Sequence, residues 1–215
     1  MDELDFNGYE YVNLGLPSGL LWAKCNIGAE KESDYGLYFQ WGDVVGYKED
    51  EVGSGEGKKY FDWSDYKYCN GSDETLTKYC TSSSYGTVDN LTTLEPSDDA
   101  ATINMGGSWR MPSLEEYEEL LNNTTNTWTT VEGVNGRLFT GNNGNTLFFP
   151  AAGYAVKDGM GDLGVAGRYW SSSLDTSEVS WSNTQALRLY FDSSNCYVNG
   201  GARNSGFSIR GVIKI

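Results

Sequence analysis

The chain has 215 residues, 39% of them apolar and 14% aromatic, with a formal net charge of −15 and no histidine. This is enough for one domain with a full core and too aromatic for a disordered chain, and the uncharged apolar run from Leu147 to Ala152 falls far short of the ~20 residues that cross a bilayer. Mechanisms built on imidazole are excluded, and nucleic acid, anionic membrane surfaces and membrane insertion are poor matches for the charge and hydropathy.

The charge is uneven. Residues 1–167 hold 10 Lys+Arg against 27 Asp+Glu, whereas residues 168–215 hold 5 against 3, a local balance of +2. Gly, Asn, Ser and Thr number 27, 17, 21 and 16. So many turn formers beside large aromatics predict short strands, long loops and little helix.

In chain order, Met1-Asp2-Glu3-Leu4-Asp5 is acidic with no apolar stretch behind it, so no signal peptide is expected. Tyr9 to Leu14 and Leu20 to Ala23 flank the Leu16-Pro17-Ser18-Gly19 turn and predict a β-hairpin. Aromatic-rich stretches follow at Tyr35–Trp41 and Tyr60–Tyr68, separated by a surface loop at Gly46–Lys59. Pro96 to Ile103 predicts a helix with Ser97 as N-cap. Trp109 belongs in the core, and Trp109-Arg110-Met111-Pro112 leads into a second helix. Ser113 and Glu116 form its capping box, and Leu114, Tyr117, Leu120 and Leu121 form its apolar stripe. Arg137–Thr140 and Thr146–Phe149 predict a hairpin around Gly141-Asn142-Asn143-Gly144-Asn145. Ala186 to Asp192 alternates as a strand, with Leu187, Leu189 and Phe191 on one face and Ala186, Arg188, Tyr190 and Asp192 on the other. Phe207 to Ile215 is expected as the closing strand.

Cys25, Cys69, Cys80 and Cys196 include no C-x-x-C pair. Cys69 and Cys80 fit either a bridge across a hairpin or two buried thiols. Asp98-Asp99 and Glu115-Glu116 read as helix N-terminal charges, and Glu49-Asp50-Glu51 as a solvated loop. No metal or other cofactor is expected; a calcium ion stays open, with no residue assigned to it. Gly159 to Gly164 is a loose G-x-G without a βαβ setting or a Walker lysine.

The C-terminal quarter is the most informative. Arg188, Tyr190 and Asp192 face away from the apolar side of their strand. Asn195, Cys196, Tyr197, Asn199, Arg203, Asn204 and Phe207 follow on Gly-punctuated loops. Rigid amphipathic rings beside adaptable polar groups are what binding surfaces use, though an ordinary polar surface has a similar composition.

Five ordered segments carry a family resemblance: Tyr11 to Ala23, Trp109-Arg110-Met111-Pro112-Ser113, Phe149-Pro150-Ala151-Ala152-Gly153-Tyr154, Tyr169-Trp170-Ser171-Ser172-Ser173 and Ser208-Ile209-Arg210-Gly211-Val212. Over nearly the whole chain they resemble the Fibrobacter succinogenes major paralogous domain, common in Bacteroidetes surface and mobile-element proteins. That family is similar to formylglycine-generating enzymes and to the variable proteins of diversity-generating retroelements. The resemblance implies a single α+β domain over 1–215 with a C-type-lectin-like fold: two helices around small irregular antiparallel sheets with long loops. It also implies a variable, ligand-binding segment at about 169–212, held by Trp170, Leu187, Leu189, Phe191, Ser208 and Arg210. The candidate ligand-binding residues are Tyr169, Arg188, Tyr190, Asp192, Asn195, Cys196, Tyr197, Asn199, Arg203, Asn204 and Phe207.

The family's chemistry does not carry over. Only Cys196 stands where formylglycine-generating enzymes have a reactive cysteine pair, and the E-P-N, Q-P-D and W-N-D motifs of sugar-binding lectins are missing. The expectation is a non-enzymatic module that binds a protein or cell-surface ligand, at a cell surface or on a phage particle, with its oligomeric state open. A formylglycine-generating-type oxidase using Cys196 and a passive module of a surface or pilus assembly are the alternatives.

Overall fold

Asn7 and Gly8, both at positive φ, turn β1 (Asp5–Phe6) into β2 (Tyr9–Asn13), which pairs antiparallel with β3 (Leu21–Ala23), Val12 opposite Trp22. The expected N-terminal hairpin therefore forms. Leu20, Leu21, Trp22 and Ala23 are all buried. A short unbroken apolar run is what a strand covered on both faces requires. The computed structural model describes residues 5–177 and 182–215. Met1–Leu4, on which the signal-peptide expectation rests, and residues 178–181 of the expected variable segment lie outside the described residues.

The stretch from 24 to 94 contributes turns, single bridges and buried rings rather than strands. Tyr38, Phe39, Trp41, Phe61 and Tyr79 are at most 1% exposed. The loop at Gly46–Lys59 carries a 3₁₀ turn over Glu49–Glu51 and a bridge between Val52 and Lys59, with Val52 buried. The four cysteines are free thiols. Cys69 bridges Leu76 through its backbone, and its thiol donates to the Trp63 carbonyl, so the disulfide alternative is not realised.

The first helix starts later than expected. Pro96–Asp98 forms a 3₁₀ turn, and Asp99, not Ser97, caps α1 (Ala100–Met105) by accepting from the Thr102 N–H. Asp99 also accepts from the Met111 N–H, joining the cap to the core, a second role that Ser97 does not have. The second helix, α2 (Leu114–Asn123), has the capping box of Ser113 and Glu116 and buries Tyr117 and Leu120; Leu114 and Leu121 are half-buried.

β4 (Thr124–Val131), β5 (Val134–Gly141) and β6 (Thr146–Pro150) form one antiparallel sheet. Glu132 and Gly133, at φ 49° and 85°, make the mirror-image two-residue turn that suits strand twist. β7 (Tyr154–Val156) and β8 (Gly159–Gly161) pair as a small hairpin. β9 (Gly167–Leu174), β10 (Gln185–Phe191) and β11 (Cys196–Ala202) form a sheet in the order β11-β10-β9. Only β12 (Val212–Ile213) of the expected closing strand is a strand. It completes the order β1-β2-β3-β12, while Phe207 and Ser208 make single bridges to Phe39 and Tyr169. The described residues thus form an α+β structure of small antiparallel sheets with two α-helices, neither long and apolar enough to cross a membrane.

The β9–β10–β11 sheet separates the two main core clusters. Tyr169, Leu189 and Phe191 pack with Trp22, Tyr117 and Phe149 on one side. Trp170, Ala186 and Phe207 pack with Trp41 and Trp109 on the other. A fully buried side chain of this size contributes about 1.5–3 kcal/mol relative to exposure. The expected core positions Trp109 and Trp170 are 1% and 0% exposed. Leu187 departs from its expected place. It is half-buried while Ala186 is buried, because the pairing of β10 with β9 shifts register between Ala186 and Arg188.

Candidate functional site

β10 is anchored by every second side chain. Leu189 faces Tyr169 on β9 and Val198 on β11, and Phe191 faces Gly167 and Cys196. A Cβ at Gly167 would lie 2.1 Å from the Phe191 ring, so the glycine makes room for it. Period-2 geometry then turns Arg188 and Tyr190 to the opposite face, beside Asn199 and Tyr197 of β11 and Trp170 and Arg168 of β9. Trp170 is covered by Phe207, ring centroids 4.2 Å apart. Beyond that cover the face opens, and Tyr197 is 44% exposed.

The open part is organised around the Tyr190 ring. The Tyr197 ring lies 5.2 Å from it, and the guanidinium carbons of Arg168 and Arg188 lie 5.3 and 5.6 Å from its centroid. Arg168 also covers Tyr154 at 4.4 Å and pairs with Asp162 at 2.7 Å. Arg188 covers Phe207 at 4.8 Å, and its Nε donates to the Gly200 carbonyl at 3.3 Å. A Cβ at Gly201 would meet the Arg188 Cδ and Nε at 2.8 Å, so that glycine keeps the berth open. Burial first, and then the Arg168 charge, lower Arg188 to about 10, which leaves it cationic at neutral pH. Burial, followed by the hydrogen bond to Asp192, raises Tyr190.

Asp192 serves the β10–β11 turn. Its carboxylate accepts from the Ser194 and Asn195 N–H groups and from the Tyr190 hydroxyl, and these donors, the Ser194 N–H foremost, hold it down at about 2. Asn195 sits exposed in the same turn and donates to Asp192. Arg137 of β5 fastens the turn by donating from Nη2 to the Asp192 carbonyl at 2.9 Å.

The structure brings together Arg188, Tyr190, Tyr197 and Asn199 from the expected set, with Asp192 and Asn195 at the edge. Five others lie off this face. Tyr169 is 0% exposed, on the core face of β9, and its hydroxyl donates to the Pro150 carbonyl. Arg203 is 0% exposed, because the chain turns inward after Ala202 to reach the Lys78 and Tyr79 carbonyls. Phe207 is 4% exposed beneath Arg188. Cys196 points to the core side with Val198, where burial raises its thiol to about 11. Asn204 lies past β11, half-buried, and its carbonyl accepts from Gln40.

Sequence reasoning missed two features. Arg168 belongs to the face because it pairs with Tyr190 across strands, and the change in charge balance at that residue was its only signal. An open groove of about 850 Å³ lies elsewhere, lined by Tyr35, Tyr38, Glu30, Asp34, Glu49 and Asp50. Only Tyr35, Gly36 and Tyr38 of the aromatic run reach it. Among the described residues no three His, Cys, Asp or Glu side chains gather to hold a metal. No protein-family model, curated protein or solved structure matches this chain.

Proposed function

We propose that the chain is a C-type-lectin-like module, non-enzymatic, acting as a retroelement-diversified variable protein. It presents a binding face to a protein or cell-surface ligand, at a cell surface or on a phage particle. One observation carries the reading: Arg188, Tyr190, Tyr197 and Asn199 share the open face of a sheet whose other face is locked by Tyr169, Leu189 and Phe191. Side chains can change on such a face without disturbing strand pairing or core. Its rings and forked donors suit an epitope better than a closed apolar pocket would. Against the oxidase alternative stands the Cys196 thiol, turned to the core side and raised well above neutral pH.

The test is a display library randomised at Arg188, Tyr190, Tyr197 and Asn199 and selected against two unrelated bait proteins. Folded binders to both baits are expected, whereas randomising Tyr169, Leu189 and Phe191 abolishes folding. Collapse of most face variants would sink the reading and favour a passive structural module.

A further inference from the structure

The β4–β5–β6 sheet ends in two unlike edges. In an antiparallel pair, successive residues bond across the ladder and away from it in turn. The two-residue turn at Glu132 and Gly133 makes Val131 and Val134 a hydrogen-bonded pair, so Thr125, Thr127, Thr129 and Val131 bond to β5. The far side of the sheet agrees: the Gly141 N–H donates to the Asn145 carbonyl, which leaves Phe148 and Pro150 of β6 facing outward. The chain itself uses that edge. Arg210, whose other donors serve Asn26, Ala23 and Lys24, donates from Nη2 to the Phe148 carbonyl at 3.0 Å, and the Tyr169 hydroxyl donates to the Pro150 carbonyl at 2.7 Å. At the opposite edge, the backbone N–H and C=O groups of Asn126, Trp128 and Thr130 point away from β5, and among the described residues nothing takes them up.

Proteins blunt a free edge with charge, proline, a bulge or brevity. β4 has none of these. It is eight residues long, its pairing with β5 runs unbroken from Thr124 to Val131, and no charged residue or proline stands between Glu119 and Glu132. Its core-side chains are already held: Asn126 accepts from Arg137 Nη1, and the Trp128 ring lies 6.4 Å from that of Phe191. The other face offers Thr125 and Thr127, both exposed, and the half-buried Thr129. The order of residues selects the occupant. Thr124-Thr125-Asn126-Thr127-Trp128-Thr129-Thr130 reads nearly the same in both directions. An antiparallel neighbour presents its residues in reverse, so a second copy turned about Thr127 sets threonine opposite threonine except where Asn126 meets Trp128. Asn126 and Trp128 both carry free backbone groups, so their meeting forms a hydrogen-bonded pair.

We propose that β4 is the pairing edge of a homodimer, in which two copies join antiparallel about Thr127 and their β4–β5–β6 sheets become one continuous sheet. The contact is isologous and closes at two copies. Each copy carries −15, but that repulsion is spread over the surface and screened by salt, while the paired segment itself is uncharged. The proposal rests on β4 alone and is independent of the binding-face reading.

The test is sedimentation equilibrium of the whole chain from about 1 µM to about 1 mM in about 0.15 M salt, with backbone amide exchange followed by NMR at both ends of that range. A monomer–dimer equilibrium is expected, shifted toward dimer by added salt. Exchange at Asn126, Trp128 and Thr130 should slow at least about tenfold at the high concentration, while Thr125, Thr127 and Thr129, already bonded to β5, change little. Thr127→Lys sets two like charges face to face at the axis and should abolish the dimer, although it lowers the overall repulsion; Thr127→Val should keep it. Circular dichroism of both variants should match the parent. A chain that stays monomeric at every concentration and salt would overturn the dimer and favour an extended segment of another protein as the occupant. A dimer without slowed exchange at these three amides, a dimer untouched by Thr127→Lys, or growth beyond two copies would each overturn it as well.

Discussion

The closing segment that carries Arg203 and Arg210 and the open face that carries Arg188 both withdraw guanidinium groups from water, and they do so to different ends. In the closing segment each guanidinium ties together parts of the chain that no shared ladder joins. Arg210 reaches the carbonyls of Ala23, Lys24 and Phe148, and Arg203 those of Lys78, Tyr79 and Asn183. A chain with so much irregular backbone leaves carbonyls in need of donors, and a fully buried arginine brings five. On the open face, Arg188 donates once, to the Gly200 carbonyl, and its buried Nη1 has no acceptor. Burial therefore does not separate scaffold from site here; the count of satisfied donors does.

That comparison can be broken most severely beneath both regions. Trp170 is the cross-strand neighbour of Arg188, lies against Phe207 and donates from its indole N–H to the Phe39 carbonyl. Trp170→Ala should lower stability by about 3–5 kcal/mol, read from a urea denaturation midpoint. Arg210→Met keeps the bulk and strands three carbonyls and Asn26, and should cost about 3 kcal/mol in the same assay. A loss below about 1 kcal/mol would refute the tie-bar role of the closing segment. Arg188→Met should do the opposite: stability unchanged or raised by about 1 kcal/mol, because an uncompensated buried charge is removed.

A smaller effect is confined to acid. Asp192 is held at about 2 in the folded state, below the ~3.9 of an unfolded aspartate. A depressed folded value means that its contribution is fully present above about pH 4 and fades as pH falls through about 2. Asp192→Asn should flatten that part of the acid-unfolding curve followed by circular dichroism and leave the curve above pH 5 parallel to wild type. Smallest of all, Tyr197→Ser should shift stability by less than about 0.5 kcal/mol while weakening any ligand of the face. A larger stability loss would make Tyr197 part of the scaffold.

What the sequence made legible was local. The capping box of Ser113 and Glu116, the turn between β5 and β6 and the inward Leu189 and Phe191 depend on neighbours a few residues away, and these appear as read. Asp99 displaced Ser97 as a cap because it also serves Met111, a partner twelve residues on. The fates of Tyr169, Arg203 and Phe207 lay further out of reach. Arg203 meets Tyr66 across 137 positions and Tyr169 meets Asn26 across 143. No periodicity encodes such distant pairing, and a polar residue on a Gly-rich stretch reads as exposed until its acceptors are known. Half of the site was legible for the same reason: strand alternation places Arg188 and Tyr190 together, but Arg168 joins them only through the β9–β10 register.

The pairing of β12 with β3 has a consequence for how the protein comes into being. Trp22 lies opposite Val212 and Leu21 opposite Ile213. At a synthesis rate of roughly 5–20 residues per second, Leu21 waits roughly ten to forty seconds for the strand that completes its sheet. Until then the buried rings of the N-terminal third have no finished partner, and contacts so far apart in the chain form slowly even afterwards. The nascent protein is therefore exposed to misassociation for most of its synthesis, and a ribosome stalled before Val212 would hold a chain that cannot close.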